Sequence, residues 1–425
     1  MNKVLLLVLF VFSLFNTQAQ FFLKPLIGSN TEANDNNPIC IIPNYLGSFT
    51  TSGYHVGDTV NDFTLFDLEH RAYSLSEMLA DGKPVVLISS SYTCPVFRGK
   101  VQEINEVFKK YNDKVNILIV YTVEAHPDID ISPYFGKVHT GGTNIAEGIL
   151  FRQPIAFIDR KKIAAEMLSK IEILPKLIID GPCNEWWAHY GPAPNNATII
   201  QPNGQVFAKH DWLNRLPNDL ACDLEKLLNG VKDCNVQSNG SFTHEITSDT
   251  MIKGTAGEIL YARGVLRNNT NSRVNIKAVR LKKNIPSAWE TSMCLDICYG
   301  PDVDTAYFYI NPGQSISYYI DFFTDPVPGV GSFRLGFVNS DDNTNKASVN
   351  YTLSTILSDI KSTDEIDNLP YLYPNPSKEA VNLSIYSSDE SSATIKAILM
   401  NGKDFSFETN IHVGKNIIPL TFFNQ

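Results

Sequence analysis

The chain has 425 residues and a mass of 47.4 kDa, room for three domains at roughly 150 residues each. Hydrophobic residues make up 43%, which excludes a wholly disordered chain. Charged residues reach only 19% and aromatics 11%, a balance that fits strand-rich extracellular material better than a helical cytosolic enzyme. The net charge of -10, with no Lys/Arg cluster, excludes the basic face of a nucleic-acid binder.

At the start, Lys3, the apolar residues 4–14 and the small residues around Thr17-Gln18-Ala19 have the layout of a secretory signal peptide, residues 1–19. The apolar run is shorter than the roughly 20 residues needed to span a bilayer, and no later segment approaches that length. Cleavage leaves a mature chain outside the cytoplasm. Residues 20–50 are polar and Asn-rich, with Pro38 and Pro43, and read as loop.

Residues 51–234 alternate strand-like and helix-like segments. Apolar runs over 85–89 and 115–123 predict strands, and between them Phe97, Val101, Ile104, Phe108 and Tyr111 recur at helical spacing. Strand, helix and strand in that order predict a parallel βαβ unit. Residues 174–179 and 198–200 predict further strands, Pro202-Asn203-Gly204 a hairpin turn into 206–209, and 220–228 a helix stopped by Gly230. From 235 to 358 short alternating runs separated by turn residues predict an antiparallel β-sandwich. A polar linker, 359–368, precedes a last strand-like segment, 369–425.

The chemistry concentrates in Ser89-Ser90-Ser91-Tyr92-Thr93-Cys94-Pro95-Val96-Phe97-Arg98, between the first strand of that unit and its helix. Pro95 suits the first helical position, where its missing N–H costs nothing. Cys94 then caps the helix, near free backbone N–H groups and the positive dipole end, and its pKa is expected below the usual value of about 8.5. Such a thiolate is a nucleophile and a redox centre. Position 97 is Phe, so no Cys-x-x-Cys pair is present. Cys94 therefore turns over with an external thiol reductant or is resolved by a distant cysteine such as Cys183 or Cys40.

Asp62-Phe63-Thr64-Leu65, Lys83-Pro84-Val85-Val86-Leu87 and Thr93-Cys94-Pro95 resemble thioredoxin-like proteins. Val120-Tyr121-Thr122-Val123-Glu124-Ala125-His126-Pro127 narrows the resemblance to iodothyronine deiodinases, and Leu174-Pro175, Asp180-Gly181, Asn184 and Tyr190-Gly191-Pro192-Ala193-Pro194-Asn195 follow in that family's order. The resemblance covers about residues 55–230 and implies a thioredoxin fold with the reactive chalcogen at Cys94, sulfur here where animal deiodinases carry selenium. It further implies His126 as acid/base beside Cys94, held or tuned by Glu124, and a cis-proline at Pro194. Thr93, Pro95, Phe97, Trp187, Tyr190 and Pro194 are the expected lining of a substrate cleft, with Trp186 nearby.

The other cysteines pair on paper as Cys294 with Cys298, Cys222 with Cys234, and, as the leftover, Cys40 with Cys183. No Cys/His set has zinc-ligand spacing, and no cofactor is expected. The 235–358 region, with Trp289, Pro312-Gly313 and Pro328-Gly329, resembles accessory immunoglobulin-like domains of secreted Bacteroidetes proteins. Tyr373-Pro374-Asn375-Pro376, 381–385 and Asn401-Gly402-Lys403 resemble the type A sorting domain of type IX secretion, although the usual closing Gly-x-Tyr strand is missing.

The expected architecture is therefore an α/β thioredoxin-like domain, an all-β sandwich and a small β sorting domain. The expected function is an exported thiol-dependent oxidoreductase acting on a small molecule or a peroxide, either deiodinase-like or peroxiredoxin-like. The competing expectation is a non-enzymatic surface-binding protein. Expected partners are a thiol reductant, the type IX machinery and the outer-membrane surface.

Overall fold

The computed structural model describes residues 23–234, 238–357, 371–373, 381–398 and 404–420. It forms two compact units, one ending at Leu357 and one beginning at Ser358.

The first unit opens with β1 (Lys24–Ile27), β2 (Asn61–Phe66), β3 (Ala72–Ser74), α1 (Leu75–Ala80), β4 (Val85–Ser90), α2 (Pro95–Tyr111) and β5 (Asn116–Tyr121). Next come α3 (Gly142–Glu147), α4 (Phe157–Lys170), β6 (Lys176–Ile179), α5 (Glu185–Tyr190), β7 (Ala197–Ile200), β8 (Val206–His210) and α6 (Leu220–Asn229). One sheet joins the strands in the order β1-β2-β6-β5-β4-β7-β8, with β3 paired to β2. Strands β4, β5 and β6 are parallel, whereas β7 is antiparallel to β4 and β8 to β7. A βαβ unit followed by a β-hairpin and helix, in the order β5-β4-β7-β8, is the thioredoxin-like arrangement.

β4 is buried along its whole length, as a strand covered on both faces must be. Val86, Ile88, Ile117 and Ile119 point to the face packed by α2, α4 and α6. Val85, Leu87, Leu118 and Val120 point to the other face, with α1, Trp186 and Tyr190. The predicted stripe of α2 is confirmed at Phe97, Val101, Ile104 and Tyr111, all buried, with Phe108 partly so. Gly204, at φ +85°, closes the predicted β7–β8 turn in a conformation that favours glycine.

The sequence reading omits several elements, β1 and α4 among them. Residues 20–50 contain β1, an edge strand parallel to β2, whose four residues are mostly exposed and carry no alternation to read. Helix α4 buries Phe157, Ile163, Ala164 and Met167, but Arg160 and Lys161 are buried on it too and interrupt its apolar periodicity.

Downstream lie β9 (Thr243–Ile246), β10 (Met251–Thr255), β11 (Ile259–Arg267), β12 (Val274–Asn284) and β13 (Glu290–Cys294). They are followed by β14 (Cys298–Tyr299), β15 (Thr305–Ile310), β16 (Ser315–Phe323), β17 (Val330–Asn339) and β18 (Lys346–Ile356). These make two five-stranded sheets, β10-β18-β17-β12-β15 and β14-β13-β16-β11-β9. Their ladders are antiparallel except β10 on β18. The sheets face each other through Phe322 on Phe333 (5.3 Å) and Tyr318 on Phe337 (5.1 Å).

The two-sheet region docks on the helices of the thioredoxin-like part through polar contacts. Glu103 of α2 accepts from Tyr309 Oη (3.3 Å) and Asn311 Nδ2 (2.8 Å), and Arg273 pairs with Asp219 at 2.6 Å. Tyr319 Oη donates to Glu147 at 3.1 Å, and the Gly142 N–H donates to Asp321 at 3.2 Å. A cleft of about 400 Å³ remains between α2 and β16.

The second unit contains β19 (Tyr371–Tyr373), β20 (Val381–Ser387), β21 (Ser391–Ile398), β22 (Asp404–Ile411) and β23 (Gly414–Leu420). They form a three-stranded sheet, β19-β20-β23, and a two-stranded one, β21-β22. The signal-peptide segment, the linker, Pro374-Asn375-Pro376 and Asn401-Gly402-Lys403 lie outside the described residues. Among the described residues no helix is long and apolar enough to cross a membrane.

Candidate active site

The carboxyl ends of β4, β5 and β6 meet at one end of the sheet, and Cys94 sits there as the N-cap of α2 with Pro95 at the first helical position. Its Sγ accepts from the Phe97 N–H at 3.4 Å, the capping geometry expected of the sequence. Its ionisation differs from expectation. Cys94 is 1% exposed, and burial pushes the thiol up to about 11, against the pull of the Phe97 and Val96 N–H groups and the Arg98 cation. Desolvation of the charged sulfur outweighs the helix start. The Arg98 guanidinium is fixed one turn into α2 by Tyr92 O (2.6 Å), Asn144 Oδ1 (2.9 Å) and Glu147 Oε2 (2.7 Å).

All seven cysteines are among the described residues. Six pair as Cys40–Cys183, Cys222–Cys234 and Cys294–Cys298, and Cys94 is the free one. Cys40 and Cys183, offered by the sequence as resolving residues, are bonded to each other and hold no free thiol for Cys94. Three disulfides fit an oxidising compartment.

Glu124 is fully buried in the loop after β5. Tyr121 Oη donates to its Oε1, and Thr93 donates to its Oε2 from both N (3.1 Å) and Oγ1 (2.7 Å). The same Thr93 Oγ1 accepts from the His126 N–H at 3.1 Å, Ser91 Oγ accepts from the Ala125 N–H at 3.2 Å, and Tyr121 Oη accepts from the Tyr92 N–H at 3.1 Å. These bonds stitch the loop before Cys94 to the loop after β5. Burial raises the Glu124 carboxyl above its usual range, against the hydrogen bonds from Tyr121 and Thr93. The carboxylate thus orients Thr93, the neighbour of Cys94, and does not hold His126.

His126 lies in that loop, five residues past the end of β5, and not at a strand end. Its Nδ1 donates to His139 O at 3.0 Å, and its ring packs among Phe135 (5.4 Å) and His139 (5.1 Å). Burial lowers its pKa to about 4, so the imidazole is neutral at pH 7 and does not titrate there as expected. No hydrogen bond joins it to Cys94 or Glu124.

The expected cleft residues divide. The Trp187 indole N–H donates to Tyr134 Oη at 2.9 Å, on the Cys94 side, and the phenol lies within reach of charge on Cys94. Tyr190 is not in a cleft: it stacks on Trp186 at 5.0 Å across the sheet and donates to Asn61 O at 2.6 Å. Phe97 is core, under α2. The Pro194 peptide is trans, the cis X-Pro bond of the described residues being Leu216–Pro217. Its loop is fastened to β4 by Ser89 Oγ donating to Ala193 O at 2.9 Å.

Sequence reasoning did not single out Arg98 or Tyr134 as site residues. Arg98, four residues after Cys94, was legible from helical spacing. Tyr134 lies in a long aperiodic loop that gave no signal. Among the described residues no group of three or more His, Cys, Asp or Glu is placed to hold a metal.

The strand order and a free cysteine at the start of the helix after the central strand define a protein of thioredoxin-like class. No family profile matches the chain. Solved structures similar to it include a protein of Chlorobium tepidum described as a DsbE thiol:disulfide interchange protein, at 16% identity and TM-score 0.26, covering 37% of this chain and 86% of that one. The exposed lipoprotein thioredoxin of Streptococcus pneumoniae gives 15%, 0.25, 40% and 99% in the same order. A DsbF homologue of Corynebacterium diphtheriae gives 15%, 0.27, 41% and 85%.

Proposed function

We propose that the chain is an exported thiol-dependent oxidoreductase with Cys94 as its reacting sulfur. The observation that carries this reading is the position of the only unpaired cysteine of the seven. Of seven cysteines, the one left free caps the helix after the central strand, with a half-buried cation and a buried carboxylate network fixed around it. Six bonded sulfurs make its freedom a feature of the fold.

In the reaction Cys94 loses its proton and the thiolate attacks the substrate. With a peroxide the O–O bond breaks, sulfur takes one oxygen as a sulfenic acid and the other leaves as alcohol or water. An external thiol then condenses with the sulfenic acid, and a second thiol releases Cys94. Arg98 favours the thiolate, and Thr93, the residue before Cys94, is locked in place by Glu124. The finer assignment is deiodinase-like, resting on Thr93-Cys94-Pro95 and the segment from Tyr121 to His126. The signal-peptide and sorting resemblances support export by the type IX route and release or attachment at the cell surface, with the two-sheet region as an immunoglobulin-like spacer.

The burial of Cys94 favours a second reading, a thioredoxin-like scaffold used for surface binding. A panel of peroxides, disulfides and iodinated phenols, assayed with dithiothreitol and with Cys94→Ser as control, separates the two. Turnover that disappears in Cys94→Ser supports the enzyme, and no turnover of any compound supports the scaffold.

A further inference from the structure

The Cys94 end of the sheet is closed by a segment from outside the thioredoxin-like core. After β1 the chain bridges to Ala156 at Pro38, and the Cys40 N–H donates to Pro182 O at 2.9 Å. Cys40 is then tied to Cys183. Nine residues later the Phe49 ring sits edge-on to Tyr134 (5.7 Å) and Trp212 (5.3 Å), stacked on Tyr45 at 5.7 Å. The Tyr45 N–H donates to Pro133 O at 2.7 Å, and Lys209 Nζ donates to the carbonyls of Phe49 and Ser52. The segment is thus fastened to the loops after β5 and β6 and to the end of β8, all at the carboxyl end of the parallel strands. Phe49 presses on the same Tyr134 whose phenol accepts from the Trp187 N–H and feels charge on Cys94.

The two fastenings differ in kind. One end is covalent and both its cysteines are exposed, whereas Cys222, Cys234 and Cys298 are only partly exposed and Cys294 is buried. The other end is aromatic. Between them the Tyr45 N–H holds the chain to the loop after β5, while Ile41 is 94% and Leu46 66% exposed.

We propose that residues 40–52 are a redox-released strap across the Cys94 end of the sheet. A dithiol reductant opens Cys40–Cys183, the strap lifts from Tyr134, and Cys94 becomes reachable. One thiolate of the reductant attacks a disulfide sulfur, the S–S bond breaks, and the other cysteine leaves as thiolate and takes a proton. The second thiol of the reductant attacks the mixed disulfide and frees the remaining cysteine. The protein gains two electrons and two protons, and the dithiol becomes a disulfide. The proposal builds on Cys94 as the reacting sulfur, but concerns only its accessibility.

The test is the rate at which iodoacetamide alkylates Cys94 in the full chain, read by peptide mass spectrometry. It is measured before and after mild dithiothreitol that opens only Cys40–Cys183, and in the Cys40→Ser/Cys183→Ser double variant without reductant. Release is expected to speed alkylation at least about tenfold, as for a segment whose local opening limits access. Phe49→Ala, which keeps the disulfide, should give a smaller acceleration and serves if the double variant does not fold. An unchanged rate in reduced wild type and in Phe49→Ala overturns the strap. Faster alkylation without turnover of any substrate leaves the strap standing and removes the oxidoreductase. Turnover with an unchanged alkylation rate does the reverse.

Discussion

The two faces of the central sheet are built from adjacent residues and serve different ends. Trp186 and Trp187 follow each other on α5, and both of their backbone N–H groups are held by the Asp180 carboxylate, at 3.1 and 3.0 Å. Trp186 turns to one face and stacks with Tyr190 among Tyr54 and Phe63 in a core of aromatic contacts. Trp187 turns to the Cys94 end, where its indole N–H meets the Tyr134 phenol and the buried groups include the Cys94 thiol, the Glu124 carboxyl and the His126 and His139 imidazoles. Burial on the first face is the ordinary hydrophobic stabilisation of a fold. On the second it is applied to groups that prefer water, and it moves their protonation. A buried aromatic pair in the sequence therefore does not by itself say which role either ring has.

The comparison can be broken most forcefully at Trp186. Trp186→Ala should cost about 3–5 kcal/mol, the usual range for emptying a large aromatic site, in chemical denaturation. Trp187→Phe should change stability by much less while altering Cys94 alkylation; equal stability losses in the two variants would erase the distinction between the faces.

Acid should act on the second face in particular. The unfolded chain protonates His126 below about 6.5, whereas the folded chain does so only below about 4. The unfolded state therefore binds more protons between these values, and stability falls as pH drops through that window. The contribution of this one group is about 3 kcal/mol when complete. Asp180, which burial raises to about 6, works in the opposite sense over an overlapping range. The diagnostic quantity is thus the difference between wild type and His126→Gln in melting temperature against pH, which should narrow from pH 7 to pH 4. A constant difference would mean that His126 is not held neutral.

A smaller loss is expected at Glu124. Glu124→Gln keeps an acceptor for Thr93 but sets an amide N–H₂ against either the Thr93 or the Tyr121 donor, costing about 1–3 kcal/mol for a buried group left unsatisfied. It should also shift the pH dependence of Cys94 alkylation, a readout that a purely structural role would not move. The smallest effect lies farthest from the sulfur. Tyr309→Phe removes one hydrogen bond to Glu103 and should cost about 1 kcal/mol without changing Cys94 reactivity. A change in reactivity would mean that the two-sheet region communicates with the site through α2.

The strands β4 and β5, the helix between them and the capping cysteine were legible because period-2 and period-3.6 patterns and the Cys-Pro step are local properties. The free sulfur was legible by arithmetic: an odd count leaves one cysteine over, spacing suggested Cys294–Cys298 and Cys222–Cys234, and Cys40–Cys183 followed only as the remainder. What sequence could not give was solvation. The helix start argues for a depressed thiol pKa, and only the packed structure shows how completely Cys94 is withdrawn from water. His126 and Glu124 were found as residues but not as partners, because a motif resemblance carries no tertiary contacts, and Glu124 reaches across to Thr93 on the neighbouring loop. Helix α4 escaped because its buried Arg160 satisfies the carbonyls of Asp180 and Gly181 and the side chain of Asn184, a tertiary reason for a cation on an inward face.

The Cys40–Cys183 bond, 143 residues apart in sequence, also encloses the loop that displays Ile129, Ile131 and Val138 on the surface. Its exposed apolar residues make that loop a natural place for a protease to cut. A chain nicked there keeps both halves on one covalent thread, migrating as a single species until a reductant parts them. Damage of this kind would pass unnoticed in a gel or size measurement made under oxidising conditions.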